Sequence, residues 1–185
     1  MADISSASGM QHNLEPTVSS EIKFQGKILN LRVDTVRMPN GLLATREIAE
    51  HSESICAVPI DEQGNVLMVN QFRKPAECEL LEVVAGGIEA GEDPKEATIR
   101  ELREEIGYTA ANLELLSSFW VAPGWCTEFM YAYLATGLSP AKLSGDDDEH
   151  ISVVTVPLDR IPGMIQSGEI QDVKSIAALL LAMRK

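Results

Sequence analysis

Residues 86–108, GGIEAGEDPKEATIRELREEIGY, constrain this chain more than any other stretch. Two adjacent glycines open it and Gly107 closes it. Between them Asp93 is a natural N-cap, Pro94 suits a first helical position, and Glu96 can complete a capping box. Ile99, Leu102 and Ile106 form an apolar stripe at helical spacing, with Glu101 and Glu105 off the core side and Gly107 as a stop. Glu101, Glu104 and Glu105 then share one face, a single turn long. Like charges so placed repel, and a helix selected only for stability would interleave Lys or Arg. A hard divalent cation supplies the counter-charge, because Mg²⁺ and Ca²⁺ take oxygen ligands and Mg²⁺ often recruits phosphates too. The pattern therefore points to a metal and to phosphate chemistry. A solvated charged face would explain the carboxylates but not the glycines at both ends.

The rest of the chain reads as strands around this helix. Residues 1–20 are Ser-rich and polar, and are expected to be a flexible tail. Residues 21–52 read as an antiparallel unit: Leu29, Leu31, Val33 and Thr35 alternate, and Pro39-Asn40-Gly41 is a turn signal. Residues 53–185 then form the main domain. Its expected strands are 55–60, 65–72, 80–85, 113–121, 129–136 and 152–156, with the helix after the third and two more helices near 158–167 and 173–184. Such an order fits an α/β class fold, an α/β/α sandwich with a mixed sheet. Residues 144–149, SGDDDE, read as a loop.

Composition excludes several function classes. Twenty-eight acidic residues against 15 Lys plus Arg give a net charge of −13, which argues against nucleic acid as a partner, since a binder needs a basic footprint. A polyanionic small substrate stays compatible, because bound metal inverts the local field. No apolar run approaches the length of a membrane span, and no basic-then-apolar signal pattern occupies the first 20 residues. Cys56, Cys78 and Cys126 are scattered without a CxxC, which suits free thiols in a reducing cytoplasm.

Gly86, five residues, Glu92, seven residues, Arg100-Glu101-Leu102, one residue, Glu104-Glu105, one residue, Gly107 and a bulky residue resembles the box of the Nudix hydrolases. Every fixed position is filled; Tyr108 stands where an aliphatic residue is commoner, at a packing position. The resemblance extends over residues 21–185 and leans toward the branch that cleaves ADP-ribose and nucleoside-diphosphate sugars. Four features carry that leaning: residues 39–51 with Arg46 and Glu47, Gln71-Phe72-Arg73, Ala122-Pro123-Gly124 with Glu128, and the tail Gly168-Glu169-Ile170 with Asp172 and Lys174.

The resemblance implies Mg²⁺, with Mn²⁺ as a substitute, held by Glu101, Glu104, Glu105 and the Ala85 carbonyl, which Gly86 lets approach closely. It implies catalytic roles for Glu104 and Glu105. A general base is expected on the acidic loop, Glu149 first for its longer arm and Asp147 second. Arg100 is expected to orient Glu92 or the loop. Arg46, Glu47, Arg73, Pro123 and Glu128 are expected to bind substrate, Arg73 through the bidentate hydrogen bonds that Lys cannot match. Trp120, Trp125 and Phe72 are either base-stacking or core residues. The expected substrate is ADP-ribose, yielding AMP and ribose 5-phosphate, with GDP-mannose as a second candidate. The rivals are hydrolysis of another nucleotide and a sensor that binds ADP-ribose without cleaving it. A homodimer that exchanges its N-terminal strands is implied as well, with Arg46 and Glu47 then acting in the neighbour's site.

Overall fold

A computed structural model describes residues 14–143 and 151–185. Two compact units emerge: residues up to His51 with Ala122–Thr127, and Ser52–Val121 with Glu128–Lys185.

The first unit is an antiparallel sheet of β1 (Thr17–Gln25), β2 (Leu29–Arg37) and β3 (Leu43–His51) in that spatial order. β1 begins inside the segment expected as a tail. Thr17 and Ser19 pair with Val36 and Thr35, and Arg37 donates its backbone N–H to Pro16 O at 3.0 Å, so the ladder reaches back past residue 21. The Pro39-Asn40-Gly41 turn forms as its composition predicts: Met38 N bonds Leu42 O at 2.8 Å, Asn40 Oδ1 accepts from Leu42 N, and Gly41 takes φ 85°. Residues Ala122–Thr127 join this unit rather than the main domain, because Ala49 bonds Trp125 O and Thr127 N through its N–H and C=O.

The second unit holds two sheets. One runs β7 (Val84–Gly87), β4 (Ser54–Pro59), β9 (Phe129–Pro140), β8 (Tyr108–Trp120); the other runs β10 (Ile151–Pro157), β5 (Asn65–Arg73), β6 (Cys78–Glu82). The β4–β9 pair is parallel and the remaining pairs are antiparallel, which makes the sheet mixed. β4 is buried along its whole length, so alternate residues feed two cores. Cys56 and Val58 pack with Val66, Met68, Ile161 and Leu179 on the side of α2 (Ile161–Ser167) and α3 (Val173–Ala182). Ile55 packs with Ala97, and Ala57 with Leu102 and Ile106, on the side of α1 (Pro94–Glu101). Helices on both faces of the strands make the α/β/α sandwich that the element order predicts.

Two further departures from the expected elements shape the site. Residues 80–85 are not one strand: β6 pairs with β5, β7 pairs with β4, and Val83 between them marks the crossing from one sheet to the other. Val83 N, outside both ladders, donates instead to Ser175 Oγ of α3 at 2.9 Å. The helix is also not α throughout. Its last turn, Leu102–Ile106, is π-helical, and Gly107, at φ 76°, bonds Leu102 O five residues back.

Candidate active site

The site begins where β7 meets the helix. Asp93 caps α1 by accepting from Lys95 N at 2.8 Å, with Pro94 in the first turn. Ile99, Leu102 and Ile106 anchor the helix to the core and turn Glu101 and Glu105 toward β7. There the backbone and the Glu101 carboxylate touch so closely that a β-carbon on Gly86 would stand 2.0 Å from Glu101 Oε1 and 2.1 Å from its Cδ. Gly86 thus lets backbone and carboxylate approach closely through its missing side chain rather than through unusual dihedrals. One residue earlier, Ala85 N lies 3.4 Å from Glu105 Oε2, a long hydrogen bond. Ala85 makes this contact through its N–H.

Arg100 organises the carboxylates. It donates Nε to Glu92 Oε1 and Nη2 to Glu92 Oε2, both at 3.0 Å, Nη2 to Gly87 O at 2.9 Å, and Nη1 to Glu101 Oε1 at 2.6 Å and Glu104 Oε2 at 3.1 Å. Part of the counter-charge that the Glu-rich face needs therefore comes from the helix itself. The hydrogen bonds with Glu92 lead in raising the Arg100 pKa, against the opposing pull of burial. The same bonds hold the Glu92 carboxyl below the usual carboxylate range.

The π turn has a second consequence. With Gly107 N bonded to Leu102 O, Arg103 O accepts Leu143 N at 3.0 Å, while Arg103 Nε donates to Ala141 O at 3.0 Å. The widened turn thereby fastens residues 141–143 to the carboxylate helix. Position 103 is unspecified in the box, and only the fold reveals its use.

The other expected residues fall into separate settings. Arg73, at the end of β5, forms a bidentate pair with Glu82, Nε to Oε1 at 2.8 Å and Nη2 to Oε2 at 2.7 Å. Chiefly through the Glu82 hydrogen bonds its pKa is raised, and the Glu105 carboxylate adds to this through space, which puts Arg73 in the field of the carboxylate helix. Glu128 accepts from Ser54 Oγ at 2.8 Å, and Ser54 is the register partner of Gly87. In the first unit, Arg46 is engaged by Glu15 through Nε at 2.8 Å and Nη2 at 2.7 Å, a bond that lowers the Glu15 pKa. Glu47 lies exposed on β3, opposite Val33. Pro123 sits in the turn closed by Ala122 O with Trp125 N and Cys126 N. Trp120, Trp125 and Phe72 are 55%, 61% and 50% exposed, which removes them from the core. Glu149 and Asp147 lie outside the described residues. Glu82, Ser175 and Arg103 were not singled out from the sequence. A lone Glu closing the apolar run before Val83-Val84 was the one available signal for Glu82.

The donor set suits a hard cation. Glu101 and Glu105 meet the Ala85–Gly86 backbone, and every donor atom there apart from the amides is oxygen. Among the described residues, no three His, Cys, Asp or Glu side chains converge into a ready cage. Mg²⁺ needs none, because it keeps several waters and is commonly held by one or two carboxylates plus substrate phosphates.

Comparison with known proteins finds relatives over most of the chain. The family profile "NUDIX domain" matches residues 50–179, and "Nucleoside diphosphate sugar hydrolase N-terminal domain" matches residues 15–48. The chain is 37% identical over 167 residues to the ADP-ribose pyrophosphatase of Bacillus subtilis (strain 168), covering 89% of this chain and 90% of that protein. It is 36% identical to the Methanol dehydrogenase activator of Bacillus methanolicus, with the same coverage. The crystal structure of an ADP compounds hydrolase superposes with a TM-score of 0.84 at 24% identity, over 92% of each chain, and so shares the fold.

Proposed function

The chain belongs to the Nudix family, and from that premise we propose that it hydrolyses the diphosphate bond of nucleoside-diphosphate sugars. ADP-ribose is the first substrate, yielding AMP and ribose 5-phosphate, and GDP-mannose the second. The observation that carries this reading is the packing of the Glu101 carboxylate on a side-chain-free Gly86, with Glu105 against Ala85. The match of residues 15–48 to a nucleoside-diphosphate-sugar hydrolase module supports the substrate class.

Mg²⁺, when bound, neutralises phosphate oxygens and lowers the pKa of a coordinated water. Glu101 and Glu105 would hold it, with Glu104 and the Ala85 carbonyl as further ligands. The protein's own task is then orientation. Arg100 ties Glu92, Gly87 O, Glu101 and Glu104 into one body, so the carboxylates and the glycine turn move together. Arg73 binds the diphosphate, while Arg46, Glu47, Pro123 and Glu128 contribute to substrate binding. Glu149, and after it Asp147, is the base that takes a proton from the attacking water.

The enzyme acts as a homodimer that exchanges its N-terminal strands, a reading supported by the exposed Val18, Ile22 and Phe24 on β1. Three free cysteines suit a reducing compartment, so the site of action is the cytoplasm. Among the described residues, no helix is long and apolar enough to cross a membrane.

A panel of ADP-ribose, GDP-mannose, ADP-glucose and NADH with Mg²⁺, compared by kcat/KM, tests the assignment. ADP-ribose should lead, and Glu105→Gln should lower its kcat by at least about 100-fold with the thermal midpoint unchanged. No turnover anywhere on the panel would overturn the reading, and a Glu105→Gln protein within a few-fold of the parent would overturn the metal assignment.

A further inference from the structure

Between the end of β5 and the start of α3, the second unit holds a chain of four charges, three of them largely buried. Glu82 is 1% exposed, yet its carboxylate serves two cations: Arg73 through the bidentate pair, and Lys174, whose Nζ reaches Oε2. Lys174 Nζ also bonds Asp172 Oδ2 at 2.9 Å. Asp172 in turn caps α3, accepting from Ser175 N at 3.0 Å and Ser175 Oγ at 2.5 Å, and Ser175 Oγ takes Val83 N at the crossing between the sheets. Signs alternate along the chain as Arg73 plus, Glu82 minus, Lys174 plus, Asp172 minus, and the formal sum is zero.

Access differs sharply among the four. Side-chain exposure is 39% for Arg73 but 13% for Lys174 and 16% for Asp172. Glu82 occupies Nε and Nη2 of Arg73; Nη1 has no hydrogen-bond partner among the described residues. Arg73 therefore offers one open edge to an anion and is held from behind. A buried carboxylate with Arg73 as its sole counter-ion would cancel the charge that the anion needs to see, since low-dielectric surroundings strengthen such pairing.

From this juxtaposition we infer that Lys174 is a positioning residue for the substrate diphosphate: it neutralises Glu82 so that Arg73 stays oriented while its charge remains available to a phosphate oxygen. The inference rests on Arg73 being the diphosphate contact. It assigns to the start of α3, remote in sequence from the carboxylate box, control over substrate affinity rather than over the chemical step.

The test is binding of α,β-methylene ADP-ribose, a non-hydrolysable diphosphate, by calorimetry on the full chain, with steady-state kinetics alongside. Lys174→Gln leaves the chain one unit more negative and should weaken binding and raise KM about 3- to 10-fold, with kcat within about threefold. Asp172→Asn keeps a capping side chain but leaves one extra positive charge, and should tighten binding. The double variant D172N/K174Q returns the sum to zero and should bind more tightly than Lys174→Gln though less tightly than Asp172→Asn, and Lys174→Arg should bind like the parent. A purely structural role would instead lower thermal midpoints in every variant, with no alternation of sign and no recovery in the double variant; that outcome overturns the inference, as does unchanged binding by Lys174→Gln. Should Lys174→Gln not fold, Asp172→Asn against D172N/K174Q still decides the sign. An Arg73→Ala protein that binds the analogue like the parent overturns the Arg73 reading, and this inference with it. A parent that binds the analogue but hydrolyses no diphosphate sugar overturns only the proposed activity.

Discussion

Gly86 shows how much one absent methyl can decide. With Glu101 Oε1 2.0 Å from the place a β-carbon would occupy, any side chain there must push the carboxylate away or shift β7. Gly86→Ala is expected to lower kcat about 100-fold, since displacement near 1 Å of a positioned group costs that much. Its stability cost should be small, within about 1 kcal/mol and a few degrees in thermal midpoint, because the overlap is with the movable end of the Glu101 side chain. Activity and midpoint measured on one preparation separate the two effects; an active Gly86→Ala enzyme would show that Glu101 does not need this contact. Arg100 illustrates the converse, a residue whose several donors are distributed over Glu92, Glu101, Glu104 and Gly87 O. A Lys could not replace that planar fork.

Among the elements, the split between β6 and β7 and the π turn do the positioning. Val83 leaves both ladders, and the start of α3 receives its N–H, so the strand leading to Ala85 and Gly86 is pinned from the opposite face of the sheet. Burial works to raise the pKa values of Glu82 and Asp172, but Arg73 and Lys174 prevail for Glu82, and Lys174 with Ser175 for Asp172, leaving both below the usual carboxylate range. A depressed native pKa means that the unfolded chain takes up these protons first as pH falls. The stability contributed by the pair is thus complete above about pH 4.5 and is lost as pH drops below it. Thermal midpoints of the parent should decline on that acid limb, and Asp172→Asn should decline less steeply. Parallel acid limbs would show that Asp172 contributes nothing to them. Cys56, whose thiol burial pushes up to about 12, stays uncharged throughout this range.

For the whole molecule, the first unit carries an exposed apolar strand that no described residue covers: Val18, Ile22 and Phe24 of β1 are each more than half exposed. Sedimentation at micromolar concentration is expected to give a dimer, and Phe24→Glu should shift it toward monomer; a monomeric parent would remove the strand-exchange reading. At this scale most of the architecture was legible beforehand. Alternation marked β2, the short runs at 55–60, 65–72 and 129–136 marked β4, β5 and β9, Asn-Gly marked the β2–β3 turn, and the box with its caps marked the helix and its carboxylates, because local periodicity and turn chemistry reside in adjacent letters. The start of β1, the assignment of Ala122–Thr127 to the first unit, the strand break at Val83 and the π turn were not legible. Each depends on a partner far along the chain: Val36 and Arg37 for β1, Ala49 for the 122–127 turn, Ser175 for Val83, Leu143 for Arg103 O. By itself, then, the sequence determined which residue types could hold a metal and in what order the elements run. Tertiary structure alone decided that Glu101 rests on Gly86 and that Arg73 is backed by Glu82 and Lys174, because register, burial and hydrogen-bond completion act through space and leave no periodic trace along the chain.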